Sequence, residues 1–126
     1  KIIIEPPPSP PFLEAKEFYQ TAISKIERNK ASVDSLAFEL SEQMRSCIVF
    51  GYKVGGLELT SAEIKRKLNS KRIDRKTVGQ IDQHLSFLDQ IKFTDFIPDD
   101  QSIALEVKKG PEMISLIENY WKRENL

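Results

Sequence analysis

The segment from Val33 to Ile48 constrains the fold more than any other. Val33, Leu36, Ala37, Leu40, Met44, Cys47 and Ile48 recur at spacings of three and four, the period of one face of an α-helix. A stripe of that length has to be buried against other elements, because most helical stability in a protein comes from packing an apolar face. The rest of the chain offers partners of the same kind. Ala15, Phe18, Tyr19, Ala22, Ile23 and Ile26 predict a first helix over 11–29, with Pro11 tolerated in its first turn. Ser32 is placed to cap the second helix, and "GYKVGG" should stop it near Gly51.

Two further starts are written in capping chemistry. "TSAE", Thr60 to Glu63, is a capping box, which predicts a third helix from Ser61 that buries Ile64 and Leu68. Asp74 can cap a fourth helix, where Val78, Ile81, Leu85 and Leu88 repeat at three and four. The tail gives two signals. Ile103, Leu105 and Val107 alternate as a strand would, whereas Ile103, Val107, Gly110, Ile114, Ile117 and Trp121 keep one helical face over a longer stretch. Helix is the expectation, capped by Asp99 or Asp100 and kinked or broken at Gly110-Pro111, because proline removes the bond to residue 107.

The predicted fold class is therefore all-α: a compact bundle of five to six helices with a helix-turn-helix-like pair over 61–91. That pair should pack against the second helix and bury Leu40, Met44, Ile48, Ile64, Leu68, Ile81, Leu85 and Leu88. The 126 residues suffice for one such core. The expected organisation is a proline-rich linker over 1–10 and a helical domain over 11–126. "KIIIEPPPSPP" runs three isoleucines into five prolines, a composition that favours an extended spacer. The chain opens on Lys rather than Met, so it is expected to be a piece of a longer protein.

Few residues carry chemistry. Cys47 is the single cysteine and His84 the single histidine, on different predicted helices, so neither a disulfide nor a cluster of metal ligands is expected. Cys47 reads as a core thiol and His84 as a partly buried packing residue at the edge of the fourth helix's stripe. Asp99-Asp100 reads as a helix cap rather than an acid–base pair. No phosphate-binding glycine loop or nucleophile elbow is present. No enzyme activity and no cofactor are expected. Nor does any apolar run approach the roughly 18 residues a membrane-spanning helix needs.

Formal net charge is zero, yet one stretch is strongly basic. "KRKLNSKRIDRK" holds seven cations, Lys65, Arg66, Lys67, Lys71, Arg72, Arg75 and Lys76, against one acid, Asp74. Such a corner can be a solvated helix face, or it can bind anionic lipid headgroups, an acidic partner protein or DNA. It is the candidate partner- or anion-binding surface.

"LSEQMRSCIVFGYKVGGLELTSAEIKRKL" and "HLSFLDQIKFTDFIPDD" carry a resemblance. They are similar to the cytoplasmic C-terminal domain of the Bat (aerotolerance-type) bacterial membrane proteins and of a related uncharacterised family. The matching residues are Arg45, Leu59, Thr60, Glu63, Ile64, Leu68, Leu85, Leu88, Asp89, Lys92, Phe93 and Pro98. Thr94 departs from the pattern's small Ala, and Gly110-Pro111 interrupts its last helix. The resemblance implies a small helical domain on the cytoplasmic face of the inner membrane, with residues 1–10 as a juxtamembrane linker. It also implies partners such as a MoxR-type AAA+ ATPase or a von Willebrand factor A domain protein, in complex assembly or stress tolerance. The alternative is a winged-helix DNA-binding domain, with Thr77 to Gln90 as recognition helix and a two-stranded wing over 91–108. DNA is disfavoured, because no Lys or Arg follows Lys76 in that helix until Lys92, while Asp82 and Asp89 lie on it.

Overall fold

Local capping chemistry sets where the helices begin. In the computed structural model, which describes residues 9–28, 32–56, 58–96 and 98–126, Ser32 accepts the Ser35 N–H at 3.4 Å and opens α2 (Val33–Tyr52). Thr60 accepts the Glu63 N–H at 3.1 Å while Glu63 accepts the Thr60 N–H at 2.9 Å, the expected box, and α3 runs Ser61–Ser70. Asp74 takes the Thr77 N–H at 3.1 Å to start α4 (Arg75–Phe93), and Asp99 takes the Ser102 N–H at 2.8 Å to start α5 (Asp100–Lys108). Each of these caps satisfies an N–H that the first helical turn leaves orphaned. α1 (Phe12–Glu27) and α6 (Gly110–Asn125) have no side-chain cap. Of the 1–10 linker, residues 1–8 lie outside the described residues.

The fold is all-α, and no strand occurs among the described residues. That removes the two-stranded wing of the DNA-binding alternative. Residues 91–93 end α4 and 102–108 lie in α5. The alternation of Ile103, Leu105 and Val107 lost to the helical period: Ile103 and Val107 are buried, whereas Leu105 is 61 % exposed. The break near the proline comes at Lys109, one residue before Gly110, so α5 and α6 are almost continuous. Helix one also ends earlier than predicted, at Glu27 rather than 29.

α2 is the central helix and packs on α1, α4 and α6. α1 also packs on α5 and α6, and α3 lies on α4. The helix-turn-helix-like pair therefore meets the centre through α4, with α3 as the outer helix. All eight residues predicted to be buried in this packing are buried. Cys47 is buried too, and burial pushes its thiol up to about 12, as suits an inert core cysteine.

Gly79, exposed in the body of α4, has no packing role: a Cβ added there meets nothing within 4 Å. Gly79→Ala should therefore stabilise the domain by about 0.5–1 kcal/mol through the lost backbone entropy of glycine. A urea midpoint that does not rise would contradict this.

Candidate functional site

The basic corner forms as a surface. Lys65, Arg66 and Lys67 lie on α3, Lys71 and Arg72 in the turn, and Arg75 and Lys76 at the start of α4; all seven are exposed. Two have structural partners. Lys65 Nζ lies 3.4 Å from Asp82 Oδ2, and Lys71 Nζ donates to the Tyr52 carbonyl at 2.7 Å, satisfying an orphan acceptor at the end of α2. Arg66, Lys67, Arg72, Arg75 and Lys76 have no side-chain hydrogen bond or ion pair among the described residues. The open face of α4 beyond Lys76 presents Gly79, Gln80, Gln83, Ser86 and Gln90, without a cation. Cations placed this way can hold phosphates in position but read no guanine.

The turn itself is a Schellman motif. The Ile73 N–H donates to the Leu68 carbonyl at 3.2 Å and the Arg72 N–H to the Asn69 carbonyl at 3.0 Å, while Leu68 and Ile73 are both buried. The motif's left-handed position, usually glycine, is held by Arg72 at φ 60°. An L-residue with a Cβ there costs about 1 kcal/mol relative to glycine.

Arg72 lines a cleft of about 270 Å³ whose other wall is α6, with Asn119, Tyr120 and Arg123. Arg123 sits over the Tyr120 ring, Cζ 6.0 Å from the centroid, and Tyr120 packs against Tyr52 at 4.8 Å. Burial lifts the Tyr52 hydroxyl to about 12, so it remains neutral. Lys53 bonds Asn125 at 2.9 Å and ties the end of α2 to the end of α6. Sequence reasoning missed Arg123 because nothing local links it to the 65–76 run.

His84 is not the partly buried packing residue expected: it is completely buried and hydrogen-bonded on both nitrogens. Nδ1 lies 3.0 Å from Glu106 Oε2 and Nε2 lies 2.7 Å from the Tyr19 hydroxyl, which also reaches the Leu40 carbonyl at 3.1 Å. A carboxylate only accepts, so Nδ1 carries the proton. The Glu106 carboxyl is held below its usual range, first by the His84 hydrogen bond and further by Lys109, against the opposing effect of burial. This chain joins α1, α4 and α5 through polar side chains inside the core.

A third cluster gathers residues that carry the resemblance. Arg45, buried, donates to the Leu59 carbonyl, to Ser61 Oγ at 3.0 Å and to Ser41 Oγ at 3.1 Å. Ser61 donates to Asp89 Oδ2 at 2.5 Å. The other oxygen, Asp89 Oδ1, is buried without a hydrogen bond and is flanked by Arg45 at 3.9 Å and Lys92 at 3.7 Å. These contacts brace α2, the loop before α3, and α4. At the outer end, Lys92 Nζ lies 4.9 Å from the ring centres of both Phe38 and Phe93, which pack edge to face. Phe38 is 51 % exposed and Phe93 69 %, with Phe96 close by in the chain at 46 %.

Compared with family models, with curated proteins and with solved structures, the chain gives no match.

Proposed function

We propose that this chain is a non-enzymatic protein-interaction domain, and the observation that carries the reading is the exposed phenylalanine pair. Phe38 and Phe93 come from different helices, are held edge to face, and share one lysine between their rings. Aromatic side chains fixed on rigid helices lose little entropy on docking and make good interface anchors. Nothing inside the fold requires them to face water, and clustered apolar exposure generally marks a contact surface. The resemblance to the Bat-type domains supplies the setting: the cytoplasmic face of a bacterial inner membrane, with the proline-rich segment as juxtamembrane spacer. The partner is then a MoxR-type AAA+ ATPase or a von Willebrand factor A domain protein. In this arrangement the unpaired cations of α3 face anionic headgroups or acidic protein surface. DNA recognition has no support from the helical course of 102–108 or from the cation-free face of α4.

The test is calorimetric titration of the domain with each of the two candidate partners. Binding by one of them, weakened about 30-fold or more by Phe38→Ser with Phe93→Ser, is expected for two anchors in a contact surface. Binding by neither partner, or an affinity indifferent to the double substitution, would overturn the reading.

A further inference from the structure

We infer that the cleft between the end of α2, the α3–α4 turn and α6 binds a phosphate monoester through Arg72 and Arg123. Arg72 and Arg123 line one cleft from elements far apart in the chain. Neither has a carboxylate partner within ion-pair distance among the described residues. A guanidinium offers five N–H donors in a planar fork suited to phosphate oxygens. Arg123 is steadied by the Tyr120 ring beneath it, and that ring by Tyr52. Arg72 is steadied by its backbone: the Schellman bonds fix the residue, and with it the direction in which the side chain leaves the turn. The left-handed position would hold glycine more comfortably, so the arginine there carries a backbone cost that a binding role for its side chain would offset.

The remaining lining fits the same ligand. Asn119 and Tyr120 add polar groups, and Leu116 an apolar wall for a short carbon body. At about 270 Å³ the cleft admits a phosphate on a few carbons, and lies below the roughly 300–1,000 Å³ of drug-sized sites. One acid, Asp74, lines it too, but the Asp74 oxygen Oδ2 is already engaged by the Thr77 N–H at 3.1 Å and hydroxyl at 3.2 Å. Lys71, Arg75 and Lys76 stand near Arg72 in sequence and raise the local positive potential. A monoester, with close to two negative charges and three free oxygens, matches two guanidinium groups better than a singly charged diester does. The cleft shares no residue with the Phe38–Phe93 surface, so the two readings stand or fall separately.

The test is isothermal titration of the domain with glycerol 3-phosphate, free O-phosphoserine and, as the diester, glycerophosphocholine. Binding of either monoester at least about tenfold tighter than the diester is expected, the arm that binds better telling a glycerol-type phosphate from a phosphorylated side chain. Arg72→Gly relieves the left-handed backbone, so it should fold at least as stably as the parent while binding about tenfold more weakly, and Arg123→Gln should weaken binding by as much. Lys25→Gln, exposed on α1 and outside the cleft, should leave affinity within about twofold. No binding of either monoester, equal binding of the diester, full binding by Arg72→Gly, or a loss in Lys25→Gln as large as in Arg72→Gly would each overturn the proposal.

Discussion

Replacing His84 with leucine will destabilise the domain by about 3 kcal/mol near neutral pH, and the deficit will shrink in acid. The first half follows from what the substitution leaves behind. Glu106 and the Tyr19 hydroxyl stay in place, buried, and lose the imidazole that bonds both. Removing the hydrogen-bond partner of a buried carboxylate leaves that charge uncompensated, at a cost of roughly 3–5 kcal/mol when nothing else meets it. Lys109 Nζ still reaches Glu106 Oε1 at 3.2 Å, which sets the expectation at the lower end of that range. The second half follows from the direction of the Glu106 shift. Its carboxyl is lowered in the folded state from an ordinary 4.5, with the His84 hydrogen bond the largest cause. Its stabilising contribution is therefore complete above about 4.5 and is lost as pH falls through the lowered folded value. The variant lacks that contribution at every pH, so the two proteins should converge in acid. Urea unfolding at neutral pH and a unit or more below 4.5 would measure it. A gap that stays constant across that range would show that Glu106 ionisation is not what His84 supports.

This pair also shows where sequence reading stopped. Helix starts were legible because a cap is local: Thr60 with Glu63, Asp74 with Thr77 and Asp99 with Ser102 each lie three residues apart. The core was legible because a helical stripe repeats at a fixed period, and Leu40, Met44, Ile48 and Leu85 are buried as expected. The polar chain has no such grammar. Tyr19 lies 65 residues from His84, and Glu106 lies 22 residues from it. A clue was present all the same: Glu106 shares the face of Ile103, Val107 and Gly110, and an acid on an apolar stripe needs a partner inside. The basic corner was legible for the same reason as the caps, since its cations are contiguous. Its cleft was not, because Arg123 arrives on the last helix and only packing of α6 beside α2 brings it near Arg72. The strand-like alternation around Leu105 misleads where six residues are weighed alone; the Asp99 cap decides the segment.

Gly110→Ala should destabilise the domain by about 3 kcal/mol, the upper range for overpacking a filled core. Alanine is ordinarily the better helix former, and at Gly79 it should be beneficial for that reason. At Gly110 the same methyl would land on Tyr19, overlapping ring atoms Cγ, Cδ2 and Cε2. That ring cannot withdraw cheaply. Tyr19 is fully buried, and its hydroxyl is held by His84 Nε2 at 2.7 Å and near the Leu40 carbonyl at 3.1 Å. Either the ring turns and breaks the Tyr19–His84 bond, or α6 moves away from α1 and opens the core where Ile114 and Ile117 pack. The α5–α6 junction thus depends on a residue without a side chain, quite apart from the proline that follows it. Thermal unfolding of Gly110→Ala, set beside Gly79→Ala, should give shifts of opposite sign. A double-mutant cycle makes the cause specific: residues in contact do not contribute independently. In a Tyr19→Leu background, where the ring and its tether are gone, the added methyl should cost markedly less. A Gly110→Ala penalty of the same size in both backgrounds would place the clash somewhere other than the Tyr19 ring.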